Sequence, residues 1–226
     1  MAIYMMREAN TYLAHYPLTS STTTSDTSGN NKNLTKSWTV TFGTYWGVDC
    51  AYFNGGYLYI NESLALGSDP RTISCWFNRQ NATSEAGAFW GMWTASSTNW
   101  ITTYLHGNAP IQWHYGYGNR EYNRDVWFNQ IPTVWDWTLL TVTYNWSDLL
   151  VYVNSSYLWT PTIWDYAWTN TITLNLTNTA TTLAQMPNFG AAAWKGYFSD
   201  FIFDWKAWTA QEVLDYYNDT KSNYWL

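Results

Sequence analysis

Gly196–Asp219 reads GYFSDFIFDWKAWTAQEVLDYYND, and this stretch decides the fold class. Its first half alternates large apolar residues and ends as a strand near Trp205. Its second half is a short, capped helix. Thr209-Ala-Gln-Glu212 is a capping box: the Thr209 hydroxyl accepts a backbone N–H three residues on, and Glu212 reaches back to the N–H of Thr209. Val213, Leu214 and Tyr217 are expected on one helical face. A lone helix closing a chain of strands is the arrangement to explain.

Upstream, short strand-like runs are separated by turn residues. They are Tyr12–Leu18, Trp38–Phe42, Asp49–Phe53, Tyr57–Asn61, Thr72–Asn78, Phe89–Thr94, Trp100–His106, Ile111–Tyr115, Trp137–Tyr144, Leu149–Val153, Thr171–Leu176 and Tyr197–Trp205. The clearest period of two is Trp137–Tyr144, with Leu140, Val142 and Tyr144 on one face and Thr141 and Thr143 on the other. Asn54-Gly-Gly56 and Asn145-Trp-Ser-Asp148 carry hairpin chemistry. Thr19–Asn33, rich in Ser, Thr, Asn and Gly, reads as a long surface loop inside the domain. Strands at such short intervals, without strand–helix alternation, predict an all-β, antiparallel two-sheet jelly-roll β-sandwich with a short C-terminal helix. The 226 residues form one domain in this reading.

Several segments, in order, resemble the concanavalin A-like lectin/glucanase superfamily, in its laminin G-like and pentraxin-like jelly-roll branch. Leu13–Leu18 with Asp26–Asn30 resembles the family's opening strand and loop, and Phe53–Ile60 its following hairpin. Thr72–Phe77, Trp137–Tyr144 with Leu149–Asn154, and the terminal helix complete the series. Asn154-Ser-Ser156 departs from the Asn-Gly common at that turn. The resemblance implies a scaffold used both by binders and by hydrolases, often with a calcium ion at one rim.

Composition narrows the partners. Aromatic residues make up 20% of the chain, with 18 Trp and 19 Tyr, while charged residues are only 12%. Disorder is excluded, because so much aromatic surface does not stay in water. The net charge is −6, and ten Lys and Arg form no cluster, which excludes a nucleic-acid partner. No apolar run approaches the ~20 residues of a membrane span, so membrane insertion is not expected. MAIYMMREAN lacks a basic n-region and is not a recognisable signal peptide. The expected location is extracellular or on a virion surface, reached there by assembly and lysis. Cys50 and Cys75 are read as buried thiols on neighbouring strands, the alternative being one disulfide. Their spacing fits no zinc pattern. Seven Asn-x-Ser/Thr tripeptides, at Asn33, Asn61, Asn81, Asn145, Asn154, Asn175 and Asn218, are read as unmodified.

Laminarinase-like members of the superfamily carry Glu-x-Asp-x-x-Glu, whose carboxylates flank the scissile bond. This chain has no Glu-x-Asp and no Glu-x-x-Glu, so a non-catalytic module is expected. His15 is read as packing, and His106 and His114 bracket Gly107-Asn-Ala-Pro110 without an acidic or Cys partner. Asp200 and Asp204 are the weak candidates for calcium, an ion that takes oxygen ligands. The candidate ligand surface is aromatic: Trp113, Tyr115, Tyr117, Asn119 and Arg120, then Trp135 and Trp137. Rings cover sugar C–H faces while amides and guanidinium fix hydroxyls. The expected partner is a glycan or cell-surface polysaccharide, with virion or surface structural subunits as the other class. Trp164–Trp168 is a further aromatic loop candidate.

Overall fold

A computed structural model describes residues 12–37, 39–62, 64, 67–80, 87–93, 100–105, 111–116, 124–127, 133–158, 162–163, 180–185 and 194–226. For 93, 100–102, 104–105, 111–116, 124–127 and 162–163 it describes the backbone. The chain begins with β1 (Ala14–Tyr16), β2 (Thr35–Lys36), β3 (Val40–Tyr45), β4 (Val48–Asn54) and β5 (Leu58–Ile60). It continues with β6 (Arg71–Arg79), β7 (Gly87–Trp93), β8 (Trp100–Leu105), β9 (Ile111–Gly116) and β10 (Arg124–Trp127). Then come β11 (Trp137–Tyr144), β12 (Leu149–Val153), β13 (Ser156–Tyr157), β14 (Thr162–Ile163), β15 (Ala180–Leu183) and β16 (Lys195–Asp204). Helix α1 (Ala210–Thr220) and a 3-10 turn (Lys221–Tyr224) follow.

The strands form two antiparallel sheets. Sheet I has the order β13-β12-β11-β6-β16-β4-β3, with β1 also on β16; sheet II runs β14-β10-β9-β8-β7-β15-β5-β2. The sheets stack face to face, as the Phe77 ring of sheet I against Phe89 of sheet II shows (centroids 4.6 Å apart). Ile73, Cys75, Phe77, Leu140, Val142 and Tyr144 point into this interior, as the period of two predicts.

The central strands β6 and β11 are buried along their whole length, on both faces. The second cover is the C-terminal segment. Trp76 on the outer face is stacked by Tyr224 at 4.1 Å and Tyr217 at 5.8 Å. Its Nε1 donates to Thr220 Oγ1 at 3.1 Å. The polar outer positions are also enclosed, Ser74 and Thr141 pairing hydroxyls at 2.8 Å. The capping box forms as read, Glu212 N–H donating to Thr209 Oγ1 and Thr209 N–H to the Glu212 carboxylate. The helical face differs. Val213 is fully buried and Tyr216 packs beside it, whereas Leu214, about 100° further round, is exposed.

Two further expectations are corrected. Asn54-Gly55-Gly56 is not a hairpin: β4 pairs with β3 and β16, while β5 pairs with β2 and β15. The glycines instead carry the chain from one sheet to the other. Cys50 and Cys75 are free and buried, but β16 lies between their strands. They also face different clusters, one outside sheet I and one inside, so no disulfide joins them. The Asn145–Asp148 hairpin is present, with Tyr144 opposite Leu149. The Asn154-Ser155 turn keeps the two-residue form, with both φ positive at 49° and 65°, Ser155 standing where Gly is usual. Thr171–Leu176 and Trp164–Trp168 lie outside the described residues.

The strand β16 changes partner along its length. Lys195–Phe198 pairs with β4 and Phe201–Phe203 with β1, and between them lies a bulge where Asp200 has φ 52°. There the Asp200 carboxylate meets His15 Nε2 at 2.5 Å and accepts the Tyr216 hydroxyl at 2.5 Å. The helix is thereby tied to the first strand.

The Ser/Thr/Asn-rich loop after β1 is ordered by one carboxylate. Asp26 accepts from the backbone N–H of His15 (3.0 Å), Ser28 (2.9 Å) and Lys32 (2.9 Å), and from the Ser28 hydroxyl (2.9 Å). Partial burial alone favours the neutral acid. The hydrogen bonds together outweigh it and hold the Asp26 pKa below its ordinary value. A depressed folded pKa makes the contribution complete above the unfolded value, about 3.9. It is lost as pH falls through the folded value. Asp26→Asn is therefore expected to cost about 1–3 kcal/mol at neutral pH. Its urea midpoint should converge on that of the unaltered protein as pH falls through the depressed folded pKa of Asp26.

Candidate functional site

A groove of about 440 Å³ opens at one end of the outer face of sheet I. Its walls and floor are Trp46, Trp135, Asp136, Trp137, Tyr224, Trp225 and Leu226. These come from three separate places. Trp46 is in the two-residue β3–β4 turn, Trp135 and Asp136 precede β11, and Trp225 follows the 3-10 turn. The floor is buried: Trp137 packs on Tyr224 with centroids 5.1 Å apart, and Tyr224 in turn stacks on Trp76. The walls are exposed, Trp46 at 58%, Trp135 at 47% and Trp225 at 76%.

All three wall tryptophans have positive φ, 47° at Trp46, 75° at Trp135 and 65° at Trp225. For a bulky residue this region is a genuine outlier, costing on the order of 1–3 kcal/mol each. Each is held there by its surroundings. Trp46 and Gly47 (φ 77°) form the tight turn that aligns Tyr45 with Val48. The Trp46 ring stacks on Tyr45 at 4.5 Å, which stacks on Tyr197 at 3.8 Å. Within this ring ladder burial, helped by Tyr45 and Tyr52, pushes the Tyr197 phenol up to about 12. The Trp135 N–H donates to Arg79 O (2.9 Å) and its carbonyl accepts from the buried Asn78 amide (2.8 Å). Trp225 Nε1 donates to Trp46 O at 2.8 Å, linking two walls. Trp146 is similarly exposed and also at positive φ, but lies outside the groove.

The groove suits a neutral ligand with apolar faces. Asp136 is the one carboxylate side chain among its described lining residues, and no Lys, Arg or His is among them. The Trp137 indole N–H at the floor is buried without a protein partner among the described residues. Tyr224 gives its hydroxyl hydrogen to Ser199 Oγ at 3.1 Å, and burial, then the Asp200 charge, raises its pKa far above the ordinary phenol value.

Of the residues singled out from the sequence, Trp135 and Trp137 meet here, one as a wall and one as the floor. Trp113 and Tyr115 lie on β9, paired across to Thr103 and Ile101. That strand belongs to sheet II, which covers the opposite face of sheet I from the groove. Tyr117, Asn119 and Arg120, like His106, lie outside the described residues, and His114 is in register with Thr102 and Asp125. The weak calcium candidates have protein partners: Asp200 binds His15 and Tyr216, and Asp204 Oδ2 accepts from Trp208 Nε1 at 2.6 Å. Among the described residues no group of three or more His, Cys, Asp or Glu is placed to hold a metal ion. The sequence reading missed Trp46, Tyr224 and Trp225. The Trp46-Gly47 pair between two alternating runs was the available signal for the first. The others have no local signal, since a distant strand places them.

No family model and no curated protein matches the sequence. Solved structures do match in fold. Domain 4 of AbnA, a GH43 extracellular arabinanase from Geobacillus stearothermophilus, in complex with arabinotriose, superposes with a TM-score of 0.71 at 18% identity. That match covers 90% of this chain and 97% of the domain. The binding domain of Paraclostridial Mosquitocidal Protein 1 gives 0.70 at 15% identity, over 93% of this chain and 52% of that one. A botulinum neurotoxin type C structure, described as entering cells through two ganglioside molecules, gives 0.68 at 14% identity, over 93% and 51%. The chain spans about half the length of the toxin chains it matches. At these identities the likeness is one of fold.

Gly47 is the residue on which the geometry of the walls turns. A Cβ there would sit 3.1 Å from Trp225 Cζ2, at a φ that disfavours any side chain. Gly47→Ala is expected to cost about 1 kcal/mol. It should also displace Trp225, seen as a shift of its indole N–H signal by NMR while the Trp208 signal stays in place.

Proposed function

We propose that this chain is a non-catalytic glycan-binding module of the concanavalin A-like lectin/glucanase superfamily, and that the tryptophan groove is its binding site. The observation that carries this is the convergence of three exposed, backbone-strained tryptophans on one cavity. The three rings are largely exposed and contribute little to the buried core, and Asn or Gly would occupy the same turns at lower backbone cost. Flat indole faces with few charges complement the C–H faces of a sugar ring. The arabinotriose complex of one structural neighbour and the ganglioside dependence of another support a glycan as ligand. The single interior shared by both sheets supports one domain. The extracellular arabinanase neighbour supports a place outside the cell. A virion surface, with structural subunits as further partners, belongs to the same proposal on the sequence reading alone.

The test is a glycan array including arabinan and ganglioside sugars, followed by titration of Trp46→Asn and Trp135→Ala. Both variants are expected to lose about tenfold or more in affinity. Trp46→Asn should not lower the melting temperature, because relief of strain offsets the lost ring contacts. A blank array, together with oligomers that Trp46→Asn dissociates, would overturn the reading in favour of a purely structural subunit contact.

A further inference from the structure

Trp225 lines a second cavity besides the tryptophan groove. This one is about 540 Å³, bordered by Pro17, Thr19, Asp49, Ser199, Ser222 and Asn223 among others, and Tyr224 also borders both. Each cavity is of the size of ordinary small-ligand sites, roughly 300–1,000 Å³. Their chemistry differs sharply. The first is dominated by four indoles; the second mixes hydroxyl, amide and carboxylate groups with apolar side chains in about equal measure.

The polar groups of the second cavity divide into committed and uncommitted ones. Asp200 is held by His15 and Tyr216, and Ser199 donates to Asp49 O while accepting from Tyr224. Asp49 is exposed and takes the Thr44 hydroxyl on Oδ1 at 2.7 Å, leaving Oδ2 without a partner among the described residues. The Ser222 hydroxyl and the Asn223 amide are exposed and hydrogen-bond to no described residue. An acceptor-only carboxylate, a two-way amide and a two-way hydroxyl thus stand open beside an aromatic ring. Two carboxylates with no lining cation disfavour a phosphate or any other anion. The absence of a third His, Cys, Asp or Glu among the described residues leaves no metal cage. The open polar groups within a half-apolar lining disfavour a wholly apolar peptide. Hydroxyl groups on a ring with apolar faces fit all of it.

We propose that this cavity is a second sugar subsite, continuous with the first around Trp225, so that the ligand is an oligosaccharide rather than a single sugar. The inference rests on the glycan reading of the tryptophan groove and extends it. The indole groove holds one ring by its faces, and the polar cavity fixes the hydroxyls of the next. Trp225 serves both, its Nε1 pinned to Trp46 O and its ring lying over Gly47. Asp200 and Ser199 are positioning residues for this subsite, acting through the bulge in β16 that shapes its floor.

The experiment compares arabinose with arabinotriose by isothermal titration of the intact protein, Asp49→Ala, Asn223→Ala and Trp46→Asn. The trisaccharide should bind the unaltered protein at least about tenfold more tightly than the monosaccharide. Asp49→Ala and Asn223→Ala should erase that advantage and leave monosaccharide affinity unchanged, while Trp46→Asn weakens both sugars. Circular dichroism of each variant checks that it folds; both substituted side chains are exposed, and neither is packed in the core. If the trisaccharide advantage survives both substitutions, the second subsite is wrong and the tryptophan groove stands. If neither sugar binds and the wider array is blank, the glycan reading fails and this extension with it.

Discussion

Trp76 has to be covered on the outside of sheet I, and the architecture of this end of the molecule follows from that. It is among the largest fully buried side chains, yet it faces away from the interior between the sheets. Left in water, an indole of this size would forfeit roughly 2–3 kcal/mol or more of burial. The cover is the C-terminal helix and the turn after it, through Tyr217, Thr220 and Tyr224. With Tyr224 seated there, Trp225 lies across Gly47 and donates to the carbonyl of Trp46. The groove exists because the helix is docked.

Docking is itself held at both ends. Near its start, Trp208 is fixed by Asp204 and by Thr72 on the central strand. Further along, Tyr216 reaches the carboxylate of Asp200, which the bulge in β16 turns toward it and toward His15. The bulge is also where β16 exchanges β4 for β1. One irregular residue in a central strand therefore connects sheet pairing, helix attachment and the floor of the polar cavity.

The tryptophan walls show the opposite tendency. Turns normally place Asn, Asp or Gly at positive φ, because a Cβ crowds the backbone there. Here indoles occupy those positions, and neighbouring hydrogen bonds and ring stacks hold them. Strain of this kind persists only where the surrounding structure over-determines it. The ladder from Trp46 through Tyr45 to Tyr197 is part of what holds the rings in place.

Local pattern was enough for much of the fold. Alternation in Trp137–Tyr144, the turn residues of Asn145–Asp148 and the Thr209–Glu212 capping box are signals within a few residues, and each appears in the structure as read. The glycines after β4 were misread because a turn sequence does not say whether the next strand returns to the same sheet. The site was legible only in part. Trp135 and Trp137 are two apart, yet one is a wall and the other a floor. Trp135 sits at positive φ in the turn before β11, while Trp137 is in the strand and is covered by Tyr224, a residue far along the chain. The sequence by itself determined the central strands, the inward face of β11 and the capped helix, because those depend on neighbours at short separation, whereas β2, β10, β13, β14 and β15 carry too little local pattern to be read. Only the tertiary structure decided which of the described tryptophans are covered and which stand open. Burial is set by whatever the rest of the chain lays against a ring, and no local pattern encodes that.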